Sequence, residues 1–381
     1  MTLYQRLSSY YFFYFAALGA LIPFWGLYLQ ERGISAAAIG GLMAILTATK
    51  IIAPLLWGWI TDHYGRRMFW VQIAALFAAL TFSIIYWVAT PFAIAMTMFT
   101  FGLFWNASLP QFDAVALNHL GKNSNRYAQL RVWGSIGFIT FVIALGPSIS
   151  IWSIDIIPAV VLLLFIGVWI STLLVPDCAA AALHLPTPSL RQLLARREIR
   201  WFLLTCALMQ FSHGSYYTFY SIALTDAGYD TSTIGVLWAL GVMVEVVVFM
   251  RMHWLLERFG AWPIMLTSLL LATVRWSAIA LMIDSPIIQI IVQTFHAATF
   301  GAFHAAAIDL VHHYFPGRTQ GRGQALYNSI GFGIGGAAGS LIAGLIWTVW
   351  GAPATFLIAA LAALFGTVSG YRCSQFAQPR G

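Results

Sequence analysis

The chain has 381 residues, of which 60% are hydrophobic and only 8% charged, with a formal net charge of +7. Soluble domains carry about 25% charged residues, so this composition excludes a soluble globular protein and defines a polytopic membrane protein. Three cysteines, Cys178, Cys206 and Cys373, have neither the number nor the spacing of a disulfide framework or a zinc site.

Apolar runs of about 20 residues, long enough to cross the hydrocarbon core as helices, recur twelve times. Their approximate spans are 8–30, 37–60, 69–89, 92–118, 128–148, 154–175, 199–224, 231–252, 262–282, 286–313, 321–348 and 352–371. The first run is too long for a signal-peptide core and has a later counterpart, so it is expected to be a retained spanning helix. Most connections are short and marked by turn residues such as Pro91, Pro147, Pro286 and Gly351. The longer connection, 176–197, divides the chain into an N-terminal six-helix bundle, 1–175, and a C-terminal one, 198–381.

The halves are related. Sliding the chain by 195 residues places Gly33 on Gly228, Ile39-Gly40 on Ile234-Gly235, Trp59 on Trp254 and Gly65 on Gly260. Asp62 then falls on Glu257, and Lys50 on Glu245. Further on, Asp113 matches Asp309 at a shift of 196, and Gly134-Ser135-Ile136-Gly137-Phe138 matches Asn328-Ser329-Ile330-Gly331-Phe332 at a shift of 194. A period of half the chain means two like bundles rather than a solenoid, and parallel repeats enclosing a midplane site are a transporter plan.

Lysine and arginine set the expected orientation. Alternate loops hold 15 of the 19 basic residues, the opposite loops hold only Arg32, and Lys50, Arg131 and Arg275 lie inside spans. This asymmetry places both termini and the central loop in the cytoplasm of an inner, plasma-type membrane. The net positive charge is thus a topology signal, and no nucleic-acid partner is expected.

A charge at mid-bilayer costs about 2.5–3.5 kcal/mol on insertion scales, so each buried ionisable group needs a partner or a task. Glu245 interrupts a valine-rich run on helix eight, and Arg275 occurs at similar depth on helix nine; each calls for the other, or for a substrate charge, across a cavity. Lys50 sits at the matching depth of the N-terminal half, to pair with Glu245, to meet a substrate carboxylate or to snorkel. Asp113 and Arg131 lie nearer the cytoplasmic ends of helices four and five, where they pair with each other or Asp113 holds Arg66. His213, His296 and His304 titrate near neutrality, and His296 is the preferred functional histidine. Aromatic residues line helix one, including Trp25, and helix seven, including Tyr216 and Tyr217, which would suit a flat apolar substrate.

The run Gly58-Trp59-Ile60-Thr61-Asp62-His63-Tyr64-Gly65-Arg66-Arg67 resembles the signature loop of the major facilitator superfamily, with Asp62, Arg66 and Arg67 implied as gating residues. Over nearly its whole length the chain resembles the 3-phenylpropionate permease branch of that superfamily, a branch related to lactose permease and nucleoside–proton symporters. The residues carrying this are Pro23-Phe24-Trp25, Arg131-Val132-Trp133-Gly134-Ser135, Gln210-Phe211-Ser212-His213 with Tyr216-Tyr217, Leu237-Trp238 with Glu245-Val246, Val274-Arg275-Trp276, and Gln293 through His296 with Thr299-Phe300 and His304. The resemblance implies an all-α fold of twelve transmembrane helices in two pseudo-symmetric bundles. Lactose permease relatives place a Glu on helix eight, an Arg on helix nine and a His on helix ten in proton coupling, which Glu245, Arg275 and His296 match. Those relatives also carry a carboxylate one turn after the His, where this chain has Thr299.

The expected activity is proton-coupled uptake of a small organic solute, an aromatic carboxylate such as 3-phenylpropionate, or in the alternative a sugar or nucleoside. The protein would act by alternating access as a monomer, with substrate contacts from Lys50, Trp25, His213, Tyr216, Tyr217 and His304 and a gating set that adds Asp113 and Arg131. The driving force would be the proton gradient, with no cofactor and no metal. An intramembrane enzyme is not expected, since no Gly-x-Ser-x-Gly or similar nucleophile motif is present.

Overall fold

The computed structural model describes residues 1–121, 126–177 and 194–377, with Asp62 and Arg318 described in backbone only. Most of the central loop, 178–193, together with Lys122, Cys178 and the side chain of Asp62, lies outside the described residues. In chain order the helices are α1 (Leu3–Glu31), α2 (Ala36–Tyr64), α3 (Arg67–Ser83), α4 (Pro91–Leu120), α5 (Tyr127–Trp152), α6 (Ile156–Leu173), α7 (Arg197–Asp226), α8 (Thr231–Phe259) and α9 (Ala261–Leu281). Then come α10 (Pro286–Tyr314), α11 (320–350) and α12 (352–377), the last two separated by Gly351, whose φ of 71° breaks an otherwise continuous helix.

Among the described residues, ten segments are long and apolar enough to cross a membrane, one of them Gln320–Phe376, which contains both α11 and α12. The twelfth spanning helix is α7. It is less apolar than the other spans because Gln210, Ser212, His213, Ser215 and Thr218 are all on it, yet every one of these is buried. Their polarity faces the protein interior rather than lipid, where unsatisfied groups would be costly.

Two compact units emerge, Met1–Leu183 with Tyr229–Ala239, and His184–Gly228 with Leu240–Gly381. In the first, α1 packs along α5 and α6, while α4 packs on α2 and α3; in the second, α7 packs along α11 and α12, while α9 packs on α10 and α12. The opening turns of α8 rest on α5, where Thr231 Oγ1 donates to the carbonyl of Gly146 at 2.7 Å.

The internal repeat is written into the backbone. Gly33 and Gly228 have φ of 75° and 87°, and Gly65 and Gly260 have φ of 64° and 77°. A positive φ at a helix end strains any residue with a Cβ and is free for glycine. Ser35 caps α2 through the amide of Ala38, and Asp230, 195 residues on, caps α8 through the amide of Thr233 at 3.0 Å. That backbone hydrogen bond holds the Asp230 carboxyl below the usual carboxylate range.

Small residues set the helix contacts, as the sequence pattern implies. A Cβ on Gly137 of α5 would strike the carbonyl oxygen of Phe12 on α1, and a Cβ on Gly335 of α11 would strike that of Ala207 on α7. Phe12 and Ala207 are themselves 195 residues apart. We therefore expect Gly137→Ala and Gly335→Ala each to destabilise the protein by about 1–3 kcal/mol through overpacking. Gly41→Ala, with nothing within 4 Å of the added carbon, should leave the thermal unfolding midpoint in detergent unchanged.

Candidate functional site

The ionisable residues of the second unit converge on Arg275 of α9. This side chain is fully enclosed, at 0% exposure. One terminal nitrogen donates to His296 Nδ1 at 3.2 Å and Thr299 Oγ1 at 3.0 Å, and the other to Gln293 Oε1 at 3.2 Å. The guanidinium also lies 4.4 Å from the ring centroids of Tyr216 and Trp276, whose faces attract a cation. Arginine only donates, so His296 Nδ1 must be an acceptor and the imidazole proton sits on Nε2. That nitrogen faces Glu245 Oε2 at 3.5 Å, and the Glu245 side chain retains 14% exposure against 6% for His296. The sequence left Glu245 and Arg275 to pair with each other or with a substrate charge; in the structure each contacts the imidazole of His296.

Helix periodicity builds the support. On α7, Tyr216 and Tyr220 are one turn apart, as are Gln293 and Gln289 on α10. Tyr216 donates to Gln293 Oε1 at 3.0 Å and Tyr220 to Gln289 Oε1 at 3.2 Å, so two rungs tie the helices. Gln289 then donates to the carbonyl of Met282 at 3.0 Å. Gln293 Oε1 thus serves both Tyr216 and Arg275. Gln289, Gln293 and Thr299 escaped assignment from sequence, although the matched four-residue spacing of the two Tyr and two Gln was a readable signal.

His213 of α7 donates from Nδ1 to the carbonyl of Met209 at 3.0 Å, and its ring meets Trp276 edge-on at 5.0 Å. Among the described residues, His213 Nε2, Arg275 Nε, Gln293 Nε2 and Trp276 Nε1 are buried without a hydrogen-bond partner. Tyr217 is partly buried beside His213, with ring centroids 5.8 Å apart. Further along α10, His304 Nδ1 bonds the hydroxyl of Tyr327 at 2.8 Å, and the rings of His296, Phe300 and His304 lie nearly parallel, at 5.4 and 6.2 Å.

The remaining candidates lie in the first unit. Lys50 is half-buried on α2. Trp25 is buried, stacked on Tyr28 at 5.0 Å and against Phe82 at 5.6 Å. Arg131 approaches Asp113 at 3.9 Å, and Tyr11 donates to the same carboxylate oxygen at 2.7 Å. Of the two pairings open from sequence for Asp113, the one with Arg131 is formed. In the loop after α2, Arg66 is exposed and left-handed, with φ of 48° and its guanidinium 5.3 Å from the Phe69 ring centroid. Arg67, half-buried, opens α3.

Twelve spanning helices in two like halves, with ionisable groups held inside the bundle, define a membrane transporter of the major facilitator type. It is a multi-pass protein that moves a small molecule through a lipid bilayer and is not an enzyme. The chain belongs to the MFS_1 like family, whose profile matches residues 4–358. Among its relatives, the "Probable 3-phenylpropionic acid transporter" of Escherichia coli (strain K12) is 29% identical over 363 residues, 93% of each chain. The "Maltose permease" of Geobacillus stearothermophilus is 27% identical over 373 residues, 94% of this chain and 91% of the relative. Among solved structures, a mutant of the nucleoside transporter NupG superposes with a TM-score of 0.87 at 16% identity, covering 98% of this chain and 100% of that one. A bacterial homologue of the human lysosomal transporter Spinster, inward-facing and unoccupied, gives 0.78 at 12% identity, covering 98% and 96%. At these identities the two structures share the fold alone.

Gln293→Leu strips an acceptor from both Arg275 and Tyr216. We expect it to cost about 1–3 kcal/mol for each group orphaned, whereas Tyr220→Phe, which orphans only the Gln289 carbonyl oxygen, incurs that cost once. Thermal denaturation of the detergent-solubilised variants checks the order.

Proposed function

We propose that the protein is a proton-coupled symporter that takes up a small aromatic carboxylate, such as 3-phenylpropionate, across an inner, plasma-type membrane. Both termini lie in the cytoplasm, the protein works as a monomer, and the proton gradient drives it without a bound cofactor. The observation that carries the reading is the chain of contacts from part-exposed Glu245 through His296 to enclosed Arg275.

In that chain each member has a separate task. Glu245, whose side chain keeps more exposure than His296 or Arg275, exchanges the proton. With Glu245 ionised, the carboxylate attracts the Nε2–H of His296; with Glu245 protonated, that attraction weakens. Arg275 commits its terminal nitrogens to His296, Thr299 and Gln293, so its task is to hold the His296 tautomer. This leaves Lys50, half-buried in the first unit, to meet the solute carboxylate, with the aromatic residues Trp25, Tyr216 and Tyr217 and the imidazoles of His213 and His304 as candidate contacts for its ring. Asp113 with Arg131, and Asp62 with Arg66 and Arg67, serve as gating contacts of the first unit. The whole operates by alternating access. The substrate class is supported by the relative named for 3-phenylpropionic acid.

The relative named as a maltose permease favours a second reading, uptake of a sugar. Competition of 3-phenylpropionate, maltose and uridine against a labelled aromatic acid separates the readings: the aromatic acid should displace itself and the others should not.

In vesicles with an imposed pH gradient, uptake should rise as the outside is acidified. Glu245→Gln should abolish uphill accumulation, down to the leak of empty vesicles, while solute exchange at equal pH persists. Uphill accumulation by that variant would overturn the assignment of the proton to Glu245. Lys50→Gln should instead raise the half-saturating concentration of an aromatic carboxylate more than that of its uncharged amide.

A further inference from the structure

The Glu245–His296 contact depends on an irregularity in α10. Helix eight offers a glycine where His296 lands: a Cβ on Gly241 would sit 3.2 Å from His296 Cβ. Helix ten returns a glycine where Glu245 lands: a Cβ on Gly301 would sit 2.9 Å from Glu245 Cγ. On α8 the two positions are four residues apart, Gly241 and Glu245, which is one α-helical turn. On α10 they are five apart, His296 and Gly301. Five residues do not return to one face of an α-helix. They do here because Ala297–Ala302 is π-helical, with hydrogen bonds reaching one residue further and a correspondingly wider turn.

The far end of this wide turn is tied down. His304, two residues after Ala302, bonds the hydroxyl of Tyr327 at 2.8 Å. Tyr327 is fully buried and immediately precedes a second π-helical stretch, Asn328–Gly335, on α11. A π turn holds one residue more than an α turn and is uncommon outside functional sites. Here two of them lie beside the ionisable chain, and one hydrogen bond links the residue two past the first to the residue just before the second.

We propose that the π turn of α10, through Gly301 and the His304–Tyr327 hydrogen bond, positions His296 against Glu245, making Gly301, His304 and Tyr327 positioning residues for the carboxyl. The role of that carboxyl in coupling rests on the proton-symport reading; the positioning itself does not. Groups whose charge or dipole acts on Glu245 include His296 from α10, with Arg275 from α9 behind it, and Tyr216 and Tyr217 from α7. Gly301→Ala pushes the Glu245 side chain away from His296. Tyr327→Phe adds no bulk and removes only the hydroxyl that holds His304.

The test is an infrared pH titration of the intact, detergent-solubilised protein, with the Glu245 carboxyl band identified by its loss in Glu245→Gln. Positioning requires the midpoint of that band to move in both Gly301→Ala and Tyr327→Phe. In vesicles the two variants should lose uphill uptake by about ten- to a hundredfold, the cost of displacing a reacting group by about 1 Å, while exchange at equal pH falls much less. The same substitution at Gly41, which touches nothing, should move neither readout. An unmoved midpoint in Tyr327→Phe, or an equal fall of exchange and uphill uptake with the midpoint unchanged, overturns the proposal. Wild-type uptake that ignores the gradient would count against proton symport instead, and the infrared midpoints would still decide the positioning.

Discussion

A guanidinium enclosed in an apolar helix bundle is the constraint around which the second unit is arranged. A permanent charge cannot be left without acceptors in such a place, and Arg275 cannot shed its proton. Three side-chain acceptors from α10 and two aromatic faces therefore surround it. Because it can only donate, it dictates the tautomer of His296 and sends the imidazole proton toward Glu245. The polarity of the contact chain follows from the donor inventory of one side chain.

Meeting that demand shapes the neighbouring helices. Gln293 can serve Arg275 and Tyr216 together only if α7 and α10 run in register, and the Tyr220–Gln289 rung fixes that register a turn away. Bringing Glu245 and His296 together needs backbone close enough for each to rest on the other helix's glycine. The resulting mismatch of four residues against five is absorbed by a π turn. The first unit has a quieter version of the same economy, in which Arg131, Asp113 and Tyr11 join α5, α4 and α1.

Much of the architecture was legible because membranes impose few rules. Spans, short turns and the half-chain repeat follow from hydropathy and glycine placement, and the glycines aligned by the repeat do adopt matching positive φ. Asp113, Arg131, Glu245 and Arg275 stood out because they are ionisable residues in an apolar background, whereas the grouping of Glu245, Arg275 and His296 came from the family resemblance. Helix seven was legible as an apolar run of spanning length even though its buried polar residues lower its hydropathy.

The sequence by itself determined which helices exist, how they repeat and which charges need company, since each of these depends on local composition and on a solvent that tolerates no unpaired polarity. Only the tertiary structure decided that His296 stands between Glu245 and Arg275, that Arg275 is enclosed, and that α10 and α11 widen into π turns. Those outcomes depend on rotation and register between helices far apart in the chain. Such quantities are set by which glycine meets which side chain, and no single helix carries them in its own spacing.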